Sequence, residues 1–112
     1  MLIYKILLPA EWAAFEAAGR FDGSPFDHSS GFIHCSSREQ TGVTAELFFG
    51  SEPALVVLAI EADALGPAVR WEEAPDRGEL FPHIYGSLPR SAVSGVYEAA
   101  GAADVERALP PA

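Results

Sequence analysis

The chain of 112 residues is poor in cysteine and in positive charge. Its single cysteine, Cys35, excludes an internal disulfide and indicates a reducing, cytoplasmic setting. Only 7 lysines and arginines stand against 16 aspartates and glutamates, so the formal charge is -9 at pH 7. So acidic a chain repels phosphate backbones, and we therefore expect no nucleic-acid partner.

Long apolar runs are also absent. A membrane helix needs about 20 consecutive apolar residues, whereas the longest run here, residues 54–60, has the length of a strand. Lys5 lies inside the first apolar run and no small-residue cleavage site follows it, so we predict neither a signal peptide nor a membrane span. The composition is that of one globular domain, residues 1–100, followed by an Ala/Pro-rich tail, residues 101–112.

Apolar patterning and turn residues predict the secondary structure. The predicted strands are residues 2–8, 31–36, 54–60, 68–73, 80–85 and 95–98, and the predicted helices are residues 10–18 and 37–49. The run 54–60 has no polar alternation, which is typical of a central strand covered on both faces. Residues 20–30 are rich in turn formers and predict a loop, with Phe26 turned inward. We expect an α+β fold with a small split or mostly antiparallel sheet and two or three helices, because no βαβ rhythm is present.

The segment His28–Ser36 holds two of the three histidines and the only cysteine. Strand alternation places His34 and Ser36 on one face and Cys35 on the other, facing the core, where a thiol is inert. His34 and Ser36 could then reach a ligand that lies over the strand, with His28 at the rim. The alternative is a half-buried His34 that hydrogen-bonds a neighbouring strand.

A second group of candidate residues lies on two later strands. His83 and Tyr85 share a face and could hold a planar ligand, or they could belong to a packed aromatic strand with a surface histidine. Arg70 could bind a phosphate or a carboxylate, or it could form a weak surface pair with Glu72. The three histidines lack the spacing of a recognised zinc site, so we predict no metal.

Several of these segments occur together in a known family. The segments Ile3-Tyr4-Lys5-Ile6, Gly31-Phe-Ile-His-Cys-Ser36, Arg70-Trp-Glu72 and Phe81-Pro-His-Ile-Tyr-Gly86, together with Trp12 and Gln40, resemble the bacterial and plant family called domain of unknown function 952. That family remotely resembles the ADP-ribosyltransferase fold, whose members hold NAD in a cleft between two small sheets. The resemblance implies a cleft with His34 and Ser36 beside His83 or Tyr85, and makes Lys5 a weaker candidate on the first strand.

The same resemblance implies a glutamate that orients the ribose, for which Glu72, Glu79 and Glu98 are the candidates. It implies no fixed cofactor, with NAD as a candidate substrate of transfer or hydrolysis at the ribosyl carbon. The competing hypothesis is a non-catalytic module that binds a small molecule or a nucleotide. The candidate catalytic residues are His34 and His83. The candidate ligand-binding residues are Ser36, Arg70, Tyr85, Lys5, His28 and Glu72.

Overall fold

The computed structural model describes residues 1–75 and 77–111. The strands are β1 (Leu2–Leu7), β2 (Arg20–Phe21), β3 (Ile33–His34), β4 (Leu55–Glu61), β5 (Val69–Glu73), β6 (Leu80–Ile84), β7 (Leu88–Pro89) and β8 (Val93–Ala99). The α-helices are α1 (Pro9–Ala18), α2 (Pro25–Ser30), α3 (Thr41–Phe49) and α4 (Val105–Ala108), with short 3-10 turns at residues 62–64, 66–68, 90–92 and 102–104.

The strands form three small antiparallel sheets. Their strand orders are β1-β4-β8, β3-β6-β5 and the two-stranded pair β2-β7. The α+β prediction with small antiparallel sheets is confirmed. The described residues contain four α-helices, however, and not two or three.

Strand β4 is the centre of the fold. Val56, Leu58 and Ile60 point into one apolar cluster, which includes Phe15 from α1. Leu55, Val57 and Ala59 point into a second cluster on the opposite face of the sheet. The prediction that this strand is covered on both faces is therefore confirmed.

The segment 20–30 differs from the predicted loop, because it contains the short strand β2 and the helix α2. Helix α2 begins with a capping box in which the Ser24 hydroxyl accepts from the Asp27 amide and the Asp27 carboxylate accepts from the Ser24 amide. Pro25 occupies the first helical turn, where its missing N–H costs nothing. The prediction that Phe26 turns inward is wrong: the residue is 53% exposed, since it sits on the outer side of this helix.

The two three-stranded sheets meet at a short backbone bridge between Tyr4 on β1 and Ser36, which follows β3. Tyr4 and Ser36 exchange two backbone hydrogen bonds of 2.8 Å each. Strand β3 is shorter than predicted, because Gly31, with φ of 87°, ends helix α2. Helix α3 begins at Thr41 and not at Ser37, since residues 37–40 form a turn closed by reciprocal Ser37–Gln40 bonds.

Residues 101–109, predicted as part of a tail, pack against the second apolar cluster. Val105 and Leu109 are buried there. Arg38 donates hydrogen bonds to the backbone carbonyls of Glu106 and Pro110, which fixes the last turn. In the part of the chain that the structure describes, no helix is long and apolar enough to cross a membrane.

Candidate functional site

A cavity of about 860 Å³ opens between α2, α3 and the strands β1, β3 and β6. We call it the aromatic cleft, because many of its walls are ring faces. Five phenylalanines contribute to its lining: Phe26, Phe32, Phe48, Phe49 and Phe81. His34, His83, Lys5 and Ser36 also line it. Its volume lies within the usual range for small-molecule sites.

A buried charge cluster forms one wall of the aromatic cleft. Asp27 on α2 is 2% exposed, and its carboxylate oxygens accept from the Lys5 ammonium at 3.2 and 3.0 Å. Lys5 also donates to the backbone carbonyl of His34 at 2.9 Å. An ammonium group has three N–H donors, and these contacts bring three oxygen atoms within hydrogen-bond distance of it. Lys5 is therefore occupied by protein partners and holds Asp27 in place.

Asp27 orients His34 through two hydrogen bonds. Its Oδ1 atom lies 2.6 Å from the ring Nδ1 of His34 and accepts from the His34 amide at 3.0 Å. Burial by itself would raise the pKa of Asp27, but the bond from His34 and the charge of Lys5 outweigh burial and hold the pKa well below its usual value. Asp27 is thus a fixed anion. With Nδ1 engaged, Nε2 is the ring nitrogen of His34 that remains for a ligand.

His83 on β6 has a similar carboxylate partner. Its Nδ1 lies 2.8 Å from Glu72 Oε1 on the neighbouring strand β5. The Tyr85 hydroxyl donates to the same oxygen at 2.7 Å. These bonds from Tyr85 and His83 lower the pKa of Glu72, and the bond to Glu72 raises the pKa of Tyr85. Glu72 therefore stays ionised beside His83.

The two histidines are brought together by strand pairing. His34 and His83 are direct partners in the β3–β6 register, and their ring centroids lie 5.7 Å apart. The Phe32 ring stacks on His83 at 3.9 Å and the Phe26 ring stacks on His34 at 4.3 Å. The histidine pair is thus held between aromatic faces at one wall of the aromatic cleft.

The remaining predicted residues lie in three places. Ser36 is buried, lines the aromatic cleft and donates to the Thr44 hydroxyl at 3.2 Å. A polar group outside the cleft lining consists of Arg70, Glu72 and Tyr85. It is connected to the aromatic cleft through the bond between Glu72 and His83. In that group the Arg70 guanidinium lies 4.6 Å over the Tyr85 ring. His28 is exposed and lines a second, smaller cavity of about 280 Å³.

Sequence reasoning missed Asp27, Phe26 and Phe48. Asp27 carries a local signal, because Ser24 followed three residues later by an acidic residue is a helix-start pattern. That pattern locates helix α2 but does not show that the same carboxylate reaches Lys5 and His34. Phe48 on α3 lies 5.8 Å from the Phe26 ring, a contact between two helices that no local pattern reveals.

Cys35 lies in the apolar cluster that contains Ile33, as predicted. Its burial raises the pKa of the thiol to about 12, which favours the protonated thiol at neutral pH although Cys35 also borders the aromatic cleft. Among residues 1–75 and 77–111, no three histidine, cysteine, aspartate or glutamate side chains come together as a metal-binding group.

Comparison with known proteins places the chain in a family. The model of the family described as "Protein of unknown function (DUF952)" matches residues 6–96. The chain belongs to the DUF952 family. A search of curated proteins finds no match. The resemblance of the family to ADP-ribosyltransferases stays a prediction.

Solved structures include relatives of this DUF952 chain. The crystal structure of protein CC0527 from Caulobacter crescentus is 47% identical with a TM-score of 0.80, and the match covers 88% of this chain and 84% of that one. The crystal structure of a doubly substituted variant of CC0527 is 46% identical with the same TM-score and coverage. The solution structure of CC0527 is 47% identical with a TM-score of 0.75, covering 88% of this chain and 83% of that one.

Proposed function

We propose that the aromatic cleft binds a planar, nucleotide-type small molecule and that His34 serves it as a general acid–base group. The observation that carries this proposal is the pair of histidines, His34 and His83, on facing strand positions. Each has a carboxylate at its Nδ1 atom, and both rings line one cavity. A histidine held in this way has one defined nitrogen left for proton transfer.

Phe26 supports the binding part of the proposal. Its ring is 53% exposed although a fold gains little from an exposed phenylalanine. It stacks on His34 on one side and lies near Phe48, which is 55% exposed. Exposed ring faces at the mouth of a cavity suit a planar ligand, which would cover them and bring its reacting bond close to His34.

The buried ion pair supports the catalytic part. Lys5 holds Asp27 as an anion, and Asp27 holds the His34 ring, so the geometry exists before a ligand arrives. A preorganised group of this kind costs little reorganisation during a reaction. Lys5 and Asp27 are therefore positioning residues, and His34 is the residue that would touch the substrate.

For the reaction, an NAD-like nucleotide is the proposed substrate. The bond from ribose C1′ to nicotinamide breaks and its electron pair leaves with nicotinamide. Water that gives a proton to His34 adds to C1′, so that NAD and water yield ADP-ribose, nicotinamide and a proton. Of the three candidate glutamates, Glu72 is the one that binds the histidine pair, and from outside the cleft lining its charge would support the cationic sugar through His83. Glu79 accepts instead from Gln40.

A non-catalytic binding module is the second candidate. His83 is 5% exposed and stacks on Phe32. In the described residues, every buried side-chain nitrogen or oxygen atom has a hydrogen-bond partner. Such a fully satisfied wall suits binding by shape and stacking without any proton transfer.

Calorimetric titration with NAD and with ADP-ribose, followed by chromatography for released nicotinamide, tests both candidates. We expect saturable binding that His34→Gln weakens and that the matched His28→Gln leaves unchanged, since His28 lies on the other cavity. Nicotinamide release supports the enzyme, and binding without release supports the module. No binding of either compound at millimolar concentration would contradict the nucleotide proposal.

A further inference from the structure

We propose that Arg77 and Thr44 form a phosphate-binding subsite inside the aromatic cleft. The subsite would then hold one phosphate group of the nucleotide while the planar ring stacks elsewhere in the aromatic cleft. This inference rests on the proposed function, because it names the second recognition element of the same cavity. Arg77 and Thr44 both line the aromatic cleft together with His34.

Two contacts fix the Arg77 guanidinium. It lies over the Phe81 ring, 4.2 Å from the ring centroid, and its Nη1 donates to Thr44 Oγ1 at 2.9 Å. A guanidinium has five N–H donors, and within the described residues the bond to Thr44 uses one of them. Its planar fork matches two oxygens of a phosphate, and a stacked, half-buried fork loses little freedom on binding.

The Thr44 hydroxyl supplies a second donor. Its oxygen accepts from Arg77 at 2.9 Å and from the Ser36 hydroxyl at 3.2 Å. A hydroxyl accepts through two lone pairs and donates through one hydrogen. With both lone pairs occupied, the Thr44 hydroxyl can form a further hydrogen bond only as a donor. A phosphate oxygen accepts such a bond. Ser36, predicted to touch the ligand itself, thus acts by orienting Thr44.

Charge also selects a single anionic group. Among residues 1–75 and 77–111, the lysines and arginines that line the aromatic cleft are Lys5 and Arg77, and Asp27 neutralises Lys5. Glu11 and Glu73 line the same cavity, and the whole chain has a formal charge of -9. One guanidinium in so negative a setting can hold one phosphate group of the ligand.

Calorimetry with adenosine and with AMP tests the subsite. We expect the wild type to bind AMP about tenfold or more tightly than adenosine, the effect of one charge-assisted hydrogen bond. Arg77→Gln should remove that preference and leave adenosine affinity unchanged within about twofold, and Arg77→Lys should keep part of it because the charge remains. The matched control is Arg107→Gln, which removes the same charge from an exposed side chain outside the cleft lining.

The possible outcomes lead to different conclusions about the subsite and the cleft. Equal binding of adenosine and AMP by the wild type, or an undiminished AMP preference in Arg77→Gln, would overturn the subsite while the cleft proposal stands. An equal loss of AMP affinity in Arg107→Gln would show a general charge effect and overturn it as well. Binding of neither compound would overturn the proposed function and the subsite together. Circular dichroism of each variant confirms that it is folded.

Discussion

His34 and His83 face each other across neighbouring strands, with ring centroids 5.7 Å apart. Neither histidine is free to rotate, because Asp27 and Glu72 bind their Nδ1 atoms from opposite elements of the fold. The carboxylates come from helix α2 and strand β5. The orientation of the two histidine rings therefore depends on how α2 and β5 are placed relative to each other.

The first prediction concerns the protons on these rings. An ionised carboxylate can only accept, so in the neutral form of each ring Nδ1 must carry the hydrogen and Nε2 must be bare. Long-range ¹H–¹⁵N spectra should show this tautomer for His34 and His83. Exposed His28 should show the mixture typical of free imidazole. A protonated Nε2 in neutral His34 would contradict the assigned orientation.

The second prediction concerns the buried ion pair of Lys5 and Asp27. Asp27→Asn leaves a buried ammonium without its counter-charge and should lower the free energy of unfolding by about 3–5 kcal/mol. The matched change Asp63→Asn alters a carboxylate whose side chain is 85% exposed and should cost less than about 1 kcal/mol. Urea denaturation at pH 7 measures both. Equal effects would show that the pair contributes no more than a surface contact.

The third prediction gives the pH dependence of the same pair. The pKa of Asp27 is lowered in the folded state, whereas the pKa of an aspartate in an unfolded chain is about 3.9. Below that pH the unfolded chain binds the extra proton, so the stabilisation by Asp27 is present at neutral pH and is lost as the pH falls. The stability difference between wild type and Asp27→Asn should therefore narrow from pH 6 to pH 3. A constant difference would contradict the lowered pKa.

The fourth prediction separates function from stability at two phenylalanines. Phe26→Ala should cost less than about 1 kcal/mol of stability, because the ring is 53% exposed. Phe15→Ala, at a residue 1% exposed, should cost about 3–5 kcal/mol. Because a stacking ring is lost, the Phe26→Ala variant should nevertheless bind adenosine roughly fivefold or more weakly than the wild type. Thermal melts and calorimetry measure the two effects, and unchanged binding would remove Phe26 from the site.

The sequence is informative where local patterns decide the structure. The central strand β4 and the inward side of Cys35 follow from apolar runs and strand alternation, and the structure has both. Asp27 could not be placed because its partners Lys5 and His34 belong to β1 and β3, and a capping pattern says nothing about such distant contacts. Phe26 was misplaced because an aromatic residue in an assumed loop is expected inside, whereas helix α2 turns it outward over His34.

The packing of the end of the chain is likewise not evident from the local sequence pattern. An Ala-rich segment with two closing prolines has a weak apolar pattern, yet Leu109 is 5% exposed. Leu109→Ala should therefore lower the free energy of unfolding by about 2–5 kcal/mol. Leu47→Ala, at a residue 61% exposed, should change it by less than about 0.5 kcal/mol. A negligible effect at Leu109 would mean that residues 101–109 behave as a tail in solution.

We propose that His34 and His83 form one wall of a single ligand cleft. The most direct measurement follows the ring signals of the three histidines by NMR during a titration with AMP. We expect saturable shifts of the His34 and His83 signals with one common dissociation constant, while the His28 signals stay unchanged. Shifts confined to His28, or no shift at any histidine at millimolar AMP, would contradict it.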